Sequence, residues 1–362
     1  MIKTQLAVIG AGPAGLSSAI EAAGHGVKVT LLDENLKPGG QLFKQIHKFF
    51  GSREHKAGVR GFDIGRRLIE ESRKLGVDVR LGTVVYGAFD NNYLDITYED
   101  KVEVLQAERI IIATGASEKA LSFPGWTLPG VMGAGAAQTM INVNRVLPGK
   151  RILMIGSGNV GLIVSYQLMQ AGAEVVALVE AADHIGGYGV HASKIRRAGV
   201  PIYTSHTVKC VDGSNKVERA TLLEVDKSFK QIAGTDKTYD VDMVCIAVGL
   251  YPLIEIPKLL GCETVYVPAL GGFVPKHDER METTVSGVYV SGDLAGVEEA
   301  SSAMEEGRLA GLSVAESLGY ISKDDYTTRA DVIKKQLDAL RMGTFGEKRK
   351  DAVAFITGGA KK

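Results

Sequence analysis

Apolar residues in the first thirty positions fall into two short runs, separated by a glycine-rich turn and a longer stretch with helical spacing. Leu6-Ala-Val-Ile9 reads as a buried strand, Gly10-Ala-Gly12-Pro13-Ala14-Gly15 as the turn, Leu16 to Ala23 as the helix and Val27 to Leu32 as a second strand. The pattern returns later in the chain. Arg151-Ile-Leu-Met-Ile155 leads into Gly156-Ser-Gly158-Asn159-Val160-Gly161, a helix runs to about Gln170, and Glu174 to Val179 is again a strand. Strand, turn, helix and strand make the repeating unit of a doubly wound parallel sheet. The expected fold class is therefore α/β, with two Rossmann-like dinucleotide-binding domains.

Each turn carries the chemistry of a diphosphate site. Gly10 permits the tight bend, Gly12 lets the backbone approach a pyrophosphate, and Gly15 lets the helix lie close to the strand. The anion sits at the helix N-terminus, where unpaired N–H groups and the dipole favour it. The second strand ends in Asp33-Glu34, acids placed to accept ribose hydroxyls. In the second copy the acid is Glu180, followed by Ala181-Ala182 with no arginine beside it for a 2′-phosphate, so NAD(H) is expected over NADP(H). Arg196 and Arg197 lie further on and read as a solvated helix face. Two cofactors, or one dinucleotide and a degenerate copy, both account for the duplication.

The whole-chain properties narrow the partners. With 362 residues there is room for two cores, and 42 Lys plus Arg balance 42 Asp plus Glu, which leaves no basic excess for nucleic acid. The absence of an apolar run of about 18 residues and of a leader pattern at Met1 points to a cytoplasmic protein without a membrane span. Cys210, Cys245 and Cys262 fit neither a metal site nor a Cys-x-x-Cys pair, and no metal is expected.

Two further segments give the pattern a family. Ile110-Ile-Ile-Ala-Thr114-Gly115 closes a strand, and Thr283-Thr-Val-Ser-Gly-Val-Tyr-Val-Ser-Gly292-Asp293 precedes a helix over about Glu299 to Glu316. Together they resemble the two-dinucleotide-fold flavoprotein reductases. The resemblance implies FAD in the first fold, with Asp293 on the ribityl chain and Gly40, Gln41, Val84, Ala300 and Ser301 as further FAD contacts. It also implies a discontinuous FAD domain, 1–117 plus 272–322. An NAD domain, 118–271, is inserted into it and closed by Gly249 to Pro252, and residues 323–362 form a C-terminal helix and tail.

The redox cysteines of that family are missing. None lies between Gly39 and Phe50, and Ala134 and Ala137 stand where thioredoxin-reductase-like members carry their pair. Disulfide chemistry needs a thiolate beside the flavin, so it is not expected here. Phe123-Pro-Gly-Trp126-Thr-Leu-Pro129, Gly133-Ala-Gly-Ala-Ala-Gln138 and Glu299-Ala-Ser-Ser-Ala-Met-Glu-Glu-Gly307 resemble the alpha-type subunits of sarcosine oxidases and of opine and hydroxyproline dehydrogenases. That likeness implies a second flavoprotein subunit that oxidises a secondary amine. The cysteine-rich segment of many members is absent here, so either a small iron–sulfur protein is a further implied partner or electron flow bypasses that centre. A stand-alone NADH oxidase or flavin or quinone reductase, and an FAD-binding subunit without nicotinamide chemistry, are the competing readings.

His47, in Phe43-Lys-Gln-Ile-His47-Lys-Phe-Phe50-Gly51, is either a proton donor near the flavin or a packing histidine. Ile333, Leu337 and Leu340 form one apolar stripe at helical spacing that must be buried on its own domain or on a partner. Gly343 to Lys362 holds little apolar material and reads as a flexible or partner-ordered tail.

Overall fold

A computed structural model describes residues 1–49 and 52–358. The chain forms two compact units: unit 1 comprises 1–117 and 251–362, and unit 2 comprises 118–250. The second crossing thus comes earlier than the 271/272 boundary read from the sequence. The helix Glu255–Leu259 and the hairpin Thr264–Val267 with Gly272–Pro275 belong to unit 1. Ile256 and Cys262 are the reason, since both are buried in the unit 1 core.

Unit 1 is built on a seven-stranded sheet in the order Asp78–Leu81, Val29–Asp33, Ile2–Ile9, Lys101–Ile112, Tyr93–Tyr98, Val84–Phe89, with Val288–Val290 pairing beside Lys101–Ile112. The central strands are parallel, and Ile9 registers against both Leu32 and Ile112. Leu6, Ala7, Val8 and Ile110 to Ile112 are fully covered or nearly so, which is why these strands read as continuous apolar runs instead of alternating ones. The helix Pro13–Gly24 packs on one face with the long helix Ala300–Ser317 against it. Contact is close because Gly307 and Gly311 lack side chains. A Cβ at Gly307 would stand 2.2 Å from the Ala14 carbonyl oxygen.

The apolar stripe of the helix Lys323–Leu340 is buried within unit 1, with Ile333 and Leu337 in the main core. Ser322 caps that helix by accepting from the Asp325 N–H at 3.1 Å. The expected flexible tail is corrected at residues 344–356. They form a helix, Thr344–Ile356, whose Ala352 and Ile356 pack on Val267, Leu270 and Val274. Spaced four apart, these two are a narrow apolar stripe that a count of apolar residues does not reveal. The last four residues, 359–362, lie outside the described residues.

Unit 2 repeats the theme in smaller form. Its five-stranded sheet runs Ile202–Tyr203, Glu174–Val179, Arg151–Ile155, Met243–Ile246, Val131–Gly133, and every pairing is parallel. The helix Asn159–Gln170 follows its glycine turn. A three-stranded antiparallel sheet, His206–Asp212, Arg219–Glu224 and Lys237–Asp240, completes it. No helix among the described residues is long and apolar enough to cross a membrane.

Candidate dinucleotide sites

The two glycine turns are geometrical copies. The Gly10 N–H donates to the Leu32 carbonyl and the Gly156 N–H to that of Val179, both at 2.7 Å. Gly10 and Gly156 sit at φ +104° and +103°, in the left-handed region that a side chain rarely adopts. A Cβ on either would also stand 2.3 or 2.2 Å from a carbonyl oxygen, Ala113 in one unit and Ala247 in the other. Gly15 and Gly161 let each helix turn back over its own glycine, since an added Cβ would lie 1.8 or 2.1 Å from the oxygen of Gly10 or Gly156. Gly12 and Gly158 are the extended caps of the two helices.

The acids behave alike as well. Asp33 is buried; its Oδ2 accepts the Ala11 N–H at 2.5 Å and its Oδ1 accepts the Asn35 N–H at 2.8 Å. Glu180 accepts the Ser157 N–H at 3.0 Å and the Ser157 hydroxyl at 2.7 Å on one oxygen, and the Ala182 N–H at 3.0 Å on the other. Each carboxylate therefore braces its own turn, keeping the remaining lone pairs for a ligand. Glu34 is exposed. Val84 follows Thr83, whose N–H donates to the Asp33 carbonyl at 2.9 Å, so it lies beside the acid from a strand at the far edge of the sheet.

In unit 1 three more segments converge on the turn. Gly40 begins the short helix Gly40–Lys44, and a Cβ there would stand 2.8 Å from the Gly12 Cα. Gln41 is exposed next to it. Thr114 and Gly115 follow the strand Lys101–Ile112, the Thr114 hydroxyl donating to the Leu253 carbonyl at 3.2 Å. Gly292 comes within van der Waals reach of Ala14, with 2.7 Å from an added Cβ to the Ala14 Cβ. Asp293 accepts the Glu298 N–H at 3.2 Å, and although it reaches the surface in part, burial pushes its carboxyl up to about 6. Pro13 and Ala14 open the first helix, and Ala300 and Ser301 open the long one.

The residues present fit a hydroxylated, diphosphate-bearing ligand. The Ser291 hydroxyl is fully buried beside Gly292 with no hydrogen-bond partner among the described residues, and Asp293 is desolvated with a single backbone donor. Both gain from ligand hydroxyls. Gly12 and Gly40 bring two backbone segments close together beside the turn, a Cβ on Gly40 meeting the Gly12 Cα at 2.8 Å.

Unit 2 holds Asn159, Val160 and Gly161 at its helix start, with Val160 exposed and Asn159 accepting the Tyr188 N–H at 2.9 Å. Gly249, at φ +108°, accepts the Lys119 N–H at 3.0 Å. His47 stacks on Phe49 with centroids 6.2 Å apart, a packing contact; Phe50 and Gly51 of its segment lie outside the described residues. Ala134 and Ala137 are fully buried, and the Glu118 carboxylate accepts the Gly135 N–H beside them at 2.7 Å. Burial raises the thiol pKa of each of Cys210, Cys245 and Cys262. Among the described residues no cluster of potential metal ligands occurs.

Sequence reasoning passed over Ser157, Asn35, Glu118 and, above all, a buried charged group behind Asp293. There Glu306 accepts the Gly292 N–H at 3.0 Å and pairs with Arg341, which also donates to both Glu298 oxygens at 3.0 and 3.1 Å. Only the Glu-Glu-Gly-Arg run of the long helix hinted at it.

Two glycine turns, each with its own bracing acid, on the parallel strands of two sheets define a protein with two dinucleotide folds. Residues 4–307 match the model of the pyridine nucleotide-disulphide oxidoreductase family, and the chain belongs to that family. Membership makes it a flavin-dependent oxidoreductase, from a family built for FAD and a nicotinamide cofactor. One of the opine oxidase subunits of Rhizobium meliloti (strain 1021) is 30% identical over 336 residues, covering 86% of this chain and 71% of that one. The alpha subunit of sarcosine oxidase from Corynebacterium sp. (strain P-1) is 24% identical over 88% of this chain, which spans only 33% of that protein. In fold, L-proline dehydrogenase from P. horikoshii superposes with a TM-score of 0.71 at 22% identity, over 93% of this chain and 59% of that one.

Proposed function

We propose that this chain is the electron-transferring flavoprotein subunit of an enzyme that oxidises a secondary amine or amino acid. FAD is held in unit 1, NAD(H) in unit 2, and the amine on a partner flavoprotein subunit, with a small iron–sulfur protein as a further electron carrier. One observation carries the reading: both dinucleotide turns are geometrically complete, while the positions that carry redox thiols in the resembling reductases are buried alanines, Ala134 and Ala137. Relatives named as subunits of opine and sarcosine oxidases support the partner.

When bound, the flavin supplies two-electron exchange with a nicotinamide and one-electron exchange with a carrier. The chain's own residues bind and orient. The amides of Gly12, Ala14 and Gly15, at the start of the helix Pro13–Gly24, would take the diphosphate, Asp33 and Glu34 the adenosine ribose, and Asp293 the polyol chain. The N-terminus of Ala300–Ser317 would present partial positive charge to the flavin and favour negative charge on it. In unit 2, Gly156 to Gly161 and Glu180 hold NAD(H), and a carboxylate at that strand end disfavours a 2′-phosphate. No protein nucleophile is required. The three thiols are held protonated, in keeping with the absence of disulfide chemistry.

Anaerobic titration of the FAD-loaded chain with NADH tests this, followed by addition of the co-expressed partner and its amine. Bleaching by NADH, slow reoxidation in air and fast exchange with the partner are expected. Rapid aerobic NADH turnover by the chain alone would point to a stand-alone oxidase instead.

A further inference from the structure

The buried charged group behind Asp293 has a geometry that a simple clamp between helices does not need. Arg341 caps the helix Lys323–Leu340 and is 9% exposed. Its guanidinium bonds run to Glu298 and Glu306. Those two residues in turn hold the turn before the long helix: Glu306 accepts the Gly292 N–H, and the Glu298 N–H donates to Asp293. Both carboxylates are buried, with side-chain exposures of 8% and 6%.

We propose that Arg341 is a positioning residue for the flavin turn, holding Gly292 and Asp293 in their ligand-ready arrangement through Glu306 and Glu298. The proposal rests on the reading that unit 1 binds FAD. An N–H held by a fixed carboxylate keeps Gly292 at its left-handed φ of +70°, against the Ala14 methyl, while the Glu298 amide fixes the Asp293 carboxylate. Without the guanidinium, two buried carboxylates face each other uncompensated, which favours proton uptake by Glu306, whose carboxyl burial raises. The charged and titratable groups around the cluster are Glu298, Glu299, Asp293 and Glu306 near the start of the long helix, His277 and Asp278 from the segment after the strand Gly272–Pro275, and Arg341 and Arg349 from the C-terminal helical region. Burial lowers the His277 pKa and so disfavours the imidazolium that would substitute for the arginine.

The test uses the full chain, measuring FAD affinity by flavin fluorescence at pH 6 and pH 8, with amide exchange at Gly292 and Glu298 in the FAD-free protein. Arg341→Met should weaken FAD binding by about tenfold or more at pH 8, and less at pH 6, where Glu306, its carboxyl raised by burial, takes up a proton more readily. Both amides should exchange faster. Adding Glu306→Gln, which keeps an acceptor for Gly292 but drops the charge, should recover most of the affinity and remove the pH dependence. Should Arg341→Met fail to fold, Arg341→Lys serves, with a smaller loss of the same sign because one ammonium cannot span both carboxylates. FAD affinity within about twofold of wild type at both pH values, with only the melting temperature lowered, overturns the proposal and leaves Arg341 a helix clamp. A wild-type chain that binds no FAD overturns the flavin reading itself, and this proposal with it.

Discussion

Unit 1 and unit 2 share one turn but not its surroundings. In unit 1 the Gly12 side of the turn faces Gly40, Gly292 presses on Ala14, and the helix Ala300–Ser317 closes over the back through Gly307. In unit 2 an added Cβ at Gly158 meets nothing within 4 Å among the described residues, and the helix Asn159–Gln170 packs instead on short helices of its own unit. A dinucleotide turn enclosed on several sides suits a ligand that stays for the life of the protein. One whose helix is covered by short helices, with Gly186 and Gly187 beside the turn, suits a ligand that exchanges each turnover. The contrast is in keeping with the proposed flavin in unit 1 and nicotinamide in unit 2, on packing grounds apart from any motif.

The comparison breaks most visibly at the helix pair found only in unit 1. Gly307→Ala drives a methyl into the Ala14 carbonyl, and backbone on both sides leaves little room to yield; a loss of about 3 kcal/mol or more is expected in thermal unfolding of the chain. A second difference is electrostatic. The Asp293 carboxyl is raised to about 6 from an ordinary 3.8, so the folded state favours its protonated form. That contribution is greatest below about pH 4 and is lost as pH rises towards 6, up to about 3 kcal/mol in the FAD-free protein. Asp293→Asn should flatten the fall between pH 4 and pH 7 in denaturant titrations. The smallest effect lies in unit 2, where Ser157→Ala removes a hydroxyl that donates to Glu180 at 2.7 Å and accepts the Gly186 N–H at 2.9 Å. Unit 1 manages with Ala11 at the matching position. The substitution should cost about 1–2 kcal/mol and weaken NADH binding without lowering flavin content.

The glycine turns were legible in the sequence because each constraint in them is local: a left-handed bend, an N-cap and an acid one strand later, all within about 25 residues of each other. Asp33 and Glu180 were expected on ribose; their bracing of Ala11 and Ser157 became visible only in the structure. The second crossing at 250/251 was missed because the motif near Gly249 marks the end of a fold without saying where the returning chain packs. Burial of Ile256 and Cys262 decides that. Arg341 was invisible for a related reason. It meets Glu298 across 43 positions, and an arginine in a basic C-terminal stretch looks like any solvated charge until its helix is docked by Ile333 and Leu337. The helix Thr344–Ile356 escaped because a two-residue apolar stripe is too short a pattern to separate from a loop.

The division of labour between the units is tested most directly by flavin content and anaerobic NADH bleaching, measured side by side on wild type, Asp293→Ala and Glu180→Ala. Asp293→Ala should be isolated with most of its flavin lost. Glu180→Ala should keep its flavin and require about tenfold more NADH to bleach it. A Glu180→Ala chain bleached like wild type, or a wild-type flavin that NADH leaves oxidised, would contradict the assignment of the nicotinamide to unit 2.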